Sequence, residues 1–135
     1  MQAAGQFSRA RNISLETYRK SGDPVRTTVF VVEENGVCYV RTDPRSGKAK
    51  RIRRNPLVRL VPSDMRGNVK GVWVDGEARF VEGDETRRIL GLFRKKYGAQ
   101  LSLLQVWHKI RKMPPYAVIS IRLISGGANP SMPSG

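Results

Sequence analysis

The 135-residue chain has a single cysteine, Cys38, a single histidine, His108, and 11 acidic residues against 25 lysines and arginines. One cysteine closes no internal disulfide and fits a reducing compartment. One cysteine with one histidine cannot furnish a tetrahedral zinc site of the usual composition. His108 sits in a helical segment far in sequence from any suggestive acid, so a Ser-His-Asp triad is not expected and His108 reads as a surface or interface residue. No apolar run approaches the roughly 20 residues that span a bilayer. The opening residues, M-Q-A-A-G-Q-F-S-R-A-R-N, carry no apolar secretory stretch, and the expected address is the cytoplasm. There is no internal repeat, no G-x-x-x-x-G-K phosphate loop, and no helix-turn-helix, finger or RRM signature.

What is present is one domain's length of chain with 39% hydrophobic residues and a net charge of +14. Such a field attracts polyanions, anionic membranes or acidic small molecules without choosing among them. Much of the excess lies in Arg41 to Arg54 and in Arg87 to Lys112. The expected organisation is a flexible segment over 1–12, a folded domain over 13–124 and a disordered tail over 125–135, the last having no core-forming residues.

Alternation over Ile13 to Arg19 predicts a strand covered on one face. Ser21-Gly22-Asp23-Pro24 turns it into Val25 to Glu33, so rich in β-branched residues that a central strand buried on both faces is expected. Glu34-Asn35-Gly36 turns back into a third strand, Val37 to Thr42. Leu57 to Pro62 predicts a fourth, Val69 to Val81 a long fifth with a bulge or bend at Asp75-Gly76, and Tyr116 to Leu123 a closing strand. Helix is expected from Asp84 to Gly98, with Ile89, Leu92, Phe93 and Tyr97 on one face, and again from Leu101 to Lys112. Short antiparallel strands with one helical excursion indicate a mainly β fold, a closed or nearly closed β-barrel with flanking helices; a two-sheet sandwich is the rival.

Between Tyr39 and Pro56 the chain reads Y-V-R-T-D-P-R-S-G-K-A-K-R-I-R-R-N-P. A strand runs into a polar turn at Asp43-Pro44 and Ser46-Gly47 and then into a basic helical turn whose first amide groups have no partner within the helix. An anion placed there would meet the helix dipole, the Ser46 hydroxyl and the Lys48 ammonium together. The same residues also suit a solvated basic turn, and spacing alone does not separate the two.

The order T-Y-R-K-S-G-D-P-V-R-T-T-V-F (Thr17 to Phe30), C-Y-V-R-T (Cys38 to Thr42), S-G-K-A-K-R-I-R-R-N-P (Ser46 to Pro56) and V-R-L-V-P-S-D-M-R-G (Val58 to Gly67) resembles the pyridoxamine 5'-phosphate oxidase-like flavin-binding split barrels. More narrowly it resembles their small branch of deazaflavin (coenzyme F420)-dependent enzymes. The resemblance runs from about Ile13 to Leu123 and implies a six-stranded antiparallel split barrel. It also implies a homodimer with a flavin-type cofactor in a groove between subunits, coenzyme F420 favoured and FMN next, and oxidoreductase activity on an unassigned small molecule. Carried over by position, it puts the cofactor phosphate on Lys48, Ser46 and Gly47 with charge from Lys50 or Arg51. Arg41 and Thr42 become the next contact pair, and Arg26, Thr27, Thr28 and Val29 the strand beside the ring and ribityl chain. Thr28 stands where proline is usual, and Ser63 where the branch often has cysteine.

A hydride-transfer cofactor brings its own reactivity and asks the protein only for anchoring, orientation and shielding, which agrees with the lack of a side-chain nucleophile. Trp73 and Trp107 read as core or interface packing, Cys38 as a small core residue, and Gly67, Gly71 and Gly76 as turns and bends. Arg87, Arg88, Arg94, Lys95 and Lys96 read as a solvated helix face, or as partners for the acidic tail of coenzyme F420. The alternative class is a basic nucleic-acid-binding protein without enzymatic activity, suggested by K-A-K-R-I-R-R. Its aromatics, however, are not interleaved with basic residues as stacking platforms require. Docking of Leu101 to Lys112 on a membrane is a third, lesser reading.

Overall fold

The computed structural model describes residues 5–110 and 116–124, with backbone alone over 98–110. Seven strands and two helices follow in the order β1 (Asn12–Tyr18), β2 (Pro24–Phe30), β3 (Val32–Glu34), β4 (Val37–Thr42), α1 (Gly47–Arg54), β5 (Leu57–Ser63), β6 (Val74–Phe80), α2 (Asp84–Ile110) and β7 (Ala117–Leu123). They form one antiparallel sheet in the order β2-β1-β5-β6-β7-β4-β3. β2 nevertheless lies against β4, near the other end of that order, so the sheet curls into a half-barrel.

Period-2 alternation sorts the side chains to two faces. Ile13, Leu15, Cys38, Val40, Val58, Leu60, Ala78, Ile119 and Ile121 fill the concave side. Helix α1 closes that core by burying Ala49 and Ile52. On the convex side, Ile89, Phe93 and Tyr97 of α2 pack on Val32, Tyr39 and Val118. Phe7, ahead of the expected domain start, is fully buried in the first core, so the ordered unit begins before Ile13.

Four expectations are corrected. Val25 to Glu33 is not one central strand: it breaks at Val31, and β2 pairs only with β1 and alternates between exposed and half-buried residues. β-branched composition marks a residue that fits a pleated surface, not its place in the sheet. What breaks the strand is the environment of Val31, whose amide donates to the Arg11 carbonyl at 3.2 Å and reaches the Tyr97 hydroxyl at 3.3 Å. Its carbonyl accepts from Tyr97 at 2.6 Å and from Lys96 Nζ at 3.0 Å. The break makes the strand count seven where six were expected.

The fifth predicted strand starts at Val74: Val69 makes only an isolated bridge to Ser63, and the Gln6 side chain takes up the Val72 amide at 2.9 Å and the Val72 carbonyl at 2.8 Å, groups a continuing strand would pair. Gly76 is a paired residue within β6, not a bend, facing Val58 and Leu123. Finally, the two predicted helices are one, continuous through Gly98. An interior glycine costs only about 1 kcal/mol, which a helix already several turns long absorbs. Lys112 and residues 125–135 lie outside the described residues.

Candidate functional site

The basic segment folds as its turn chemistry predicts. Ser46, with extended backbone, caps α1 by accepting the Ala49 amide on Oγ at 3.1 Å. The same hydroxyl lies 3.1 Å from Thr42 Oγ1, tying the end of β4 to the start of the helix. Three basic residues in the last turn of α1 suit its negative end, while the first turn carries no acidic residue that would neutralise the positive one.

Two cations flank that amino terminus. Lys48 is half-buried and joins no ion pair or hydrogen bond through its ammonium among the described residues; burial, then the Arg51 charge, pushes its pKa down. Arg51 folds back toward the helix start. Its Nε donates to Thr17 Oγ1 of β1 at 2.7 Å, and its Nη1 lies 2.9 Å from where a Cβ on Gly47 would be. Thr42, Ser46, Gly47 and Arg51 are thus brought to one corner with Lys48 in the same helical turn, joined by Thr17, which the alternation of its strand places on the covered face without marking it as a site residue. Lys50, on the same helix, is exposed and makes no side-chain hydrogen bond or ion pair among the described residues.

The other predicted contacts lie apart from this corner. Arg41 projects to the opposite face of β4, its guanidinium over Tyr116 at 4.3 Å and Phe93 at 5.3 Å. Burial pushes its pKa down, and Nη1 is enclosed without a hydrogen-bond partner among the described residues. Arg26 pairs with buried Glu16 at 3.1 Å and stacks over Trp73, which also receives Arg59. Thr27 and Val29 are half-buried, Thr27 Oγ1 likewise lacking a partner, and Thr28 is exposed beside the Gly67 loop. The outer edge of β2 carries no strand among the described residues, and β2 is the strand that approaches β4.

A family model described as pyridoxamine 5'-phosphate oxidase matches residues 2–126. The chain belongs to that family. No curated protein matches it. Among solved structures, the pyridoxamine 5'-phosphate oxidase fold is shared with HutZ, a heme storage protein from Vibrio cholerae, at 15% identity over 89% of this chain and 87% of that one, TM-score 0.69. General Stress Protein 26 from Bacillus anthracis is similar at 21% identity over 90% and 87%, TM-score 0.60. A structure described as a domain-swapped dimer is similar at 20% identity over 83% and 80%, TM-score 0.60. The half-barrel is therefore the family's split barrel.

In this member of the pyridoxamine 5'-phosphate oxidase family a cavity of about 870 Å³ opens on the convex face of β4, β6 and β7 beside the start of α2. Tyr39, Glu77, Arg79, Glu82, Glu85 and Arg122 are among its lining, and none of the predicted cofactor contacts is. Cys38 is a buried core residue, its thiol pushed up to about 12 by burial first and Glu33 second. No described helix is long and apolar enough to cross a membrane.

Proposed function

We propose that this chain is an oxidoreductase that binds a flavin-type cofactor between two copies of itself, coenzyme F420 in preference to FMN, and acts on a small molecule. The observation that carries the reading is Lys48: a half-buried ammonium with no carboxylate partner among the described residues, in the first turn of the Ser46-capped helix whose start Arg51 also approaches. Withdrawing a cation from water without a counter-charge is unfavourable, and a phosphate there would offset it with charge-assisted hydrogen bonds. The free backbone edge of β2 adds polar groups that a ligand lying along it would engage.

When bound, the cofactor supplies the redox chemistry. The chain's part is to anchor the phosphate at Lys48, Ser46 and Gly47, to run the β2 edge from Arg26 to Val29 along the ring, and to exclude water with its partner copy. Preference for coenzyme F420 rests on the resemblance and on the +14 charge, which favours a cofactor with an acidic tail. The competing nucleic-acid reading is weakened by how many arginines serve the protein's own rings, Arg26 and Arg59 over Trp73 and Arg53 over Phe80.

Fluorescence titration with FMN and with coenzyme F420, alongside absorbance titration with haemin and a gel shift with random duplex and single strands, tests the reading. Saturable binding of either flavin-type cofactor supports it. Binding of haemin or nucleic acid with neither of those cofactors overturns it.

A further inference from the structure

The anion corner depends on a residue from another strand, and the geometry points to its role. Arg51 stands one helical turn beyond Gly47, and an arginine at that position is free to extend into solvent. Instead the guanidinium is drawn back over the helix start by a 2.7 Å bond from its Nε to Thr17 Oγ1. Thr17 is 1% exposed, on β1 and 34 positions earlier in the chain, so its hydroxyl is a fixed acceptor. Gly47 completes the arrangement by leaving its Cβ position open, with Arg51 Nη1 2.9 Å from it. No positive φ at Gly47 requires glycine, so its use there is the close approach of the guanidinium.

We propose that Thr17 is a positioning residue: it holds Arg51 across Gly47 so that the guanidinium and the Lys48 ammonium present two cations to one phosphate group. Two like charges held side by side repel, and burial, Arg19 and Arg54 all oppose the charge on Arg51. A phosphate anion between them offsets that repulsion, whereas a neutral ligand does not. The corner is therefore selective for a phosphate over a hydroxyl at the same end of a ligand. This inference rests on the proposed cofactor site.

FMN and riboflavin, which differ only by the phosphate, are the probes. Thr17→Val should lower FMN affinity roughly tenfold, the loss of one charged hydrogen-bonding group, and leave riboflavin affinity unchanged. Thr17→Ser, which keeps the hydroxyl, should restore the FMN preference. Arg51→Met, which removes the guanidinium without touching Thr17, should mimic Thr17→Val and keeps the test open if that variant fails to fold. In an Arg51→Met background Thr17→Val should have no further effect. Equal losses for FMN and riboflavin, no effect of Thr17→Val or Arg51→Met, or an undiminished Thr17→Val effect without Arg51 would overturn the role of Thr17. If Lys48→Ala also leaves FMN affinity unchanged, the cofactor site itself is misplaced, so the two failures are separable.

Discussion

At the scale of single residues, Lys48 carries the strongest claim. Replacing it with alanine should weaken FMN or coenzyme F420 binding by about 1 to 3 kcal/mol, the range for a hydrogen bond to a charged group, read by fluorescence titration. The pH dependence has a definite sign. Burial and Arg51 hold the ammonium below its ordinary pKa in the free protein, so an anion that pairs with it draws the proton back. Affinity should hold on the acid side of that lowered value and fall as pH rises through it, beginning before the ordinary lysine range. A Lys48→Arg variant should stay flat across the same window, and a wild-type profile equally flat would remove Lys48 from the site. Tyr97 makes a purely structural claim. Its hydroxyl lies 2.6 Å from the Val31 carbonyl, between β2 and β3, and 2.7 Å from the Arg11 carbonyl, just ahead of β1. Tyr97→Phe should destabilise the fold by about 1 to 3 kcal/mol in urea unfolding; an unchanged midpoint would mean that Lys96 holds Val31 alone.

At the scale of elements, α1 and β6 make the sharpest predictions. Ser46→Ala removes the cap from α1 and the link to Thr42, and should cost about 1 kcal/mol, measured as a lower thermal midpoint. Gly76 lies inside β6, where an added Cβ would come within 2.6 Å of Ile121 Cγ2 and 3.2 Å of Leu60 Cδ2. Gly76→Ala should therefore overpack the core and cost about 1 to 3 kcal/mol; a neutral substitution would show that Ile121 yields freely. The elements themselves were unevenly legible. The turn and helix cap that link Val37–Thr42 to Gly47–Arg54 are local chemistry, made by contacts a few residues apart, and they are present as the sequence predicts. The division of Val25 to Glu33 was not legible, because the groups that bend the chain at Val31 come from Arg11 and Tyr97. Gly98 reads as a stop only when its local cost is weighed without the cooperativity of the helix around it.

At the scale of the whole molecule, the net charge of +14 sets the long-range preference. Coenzyme F420 should bind more tightly than FMN at low ionic strength, and the difference should shrink as the Debye length falls below about 10 Å near 0.1 M salt. Equal affinities with no salt response would remove the basis for preferring the deazaflavin. The chain's order of residues determined the antiparallel β character, the turn positions and the capped basic corner, since these depend on alternation, dihedral preference and contacts a few residues apart. Only the tertiary structure decided which way each cation faces. Arg41 and Thr42 are adjacent in the chain yet occupy opposite faces of β4, while Thr17 and Arg51, 34 positions apart, share a hydrogen bond. Strand register and the curl of the sheet set those distances, and both arise from burying apolar faces against partners remote along the chain.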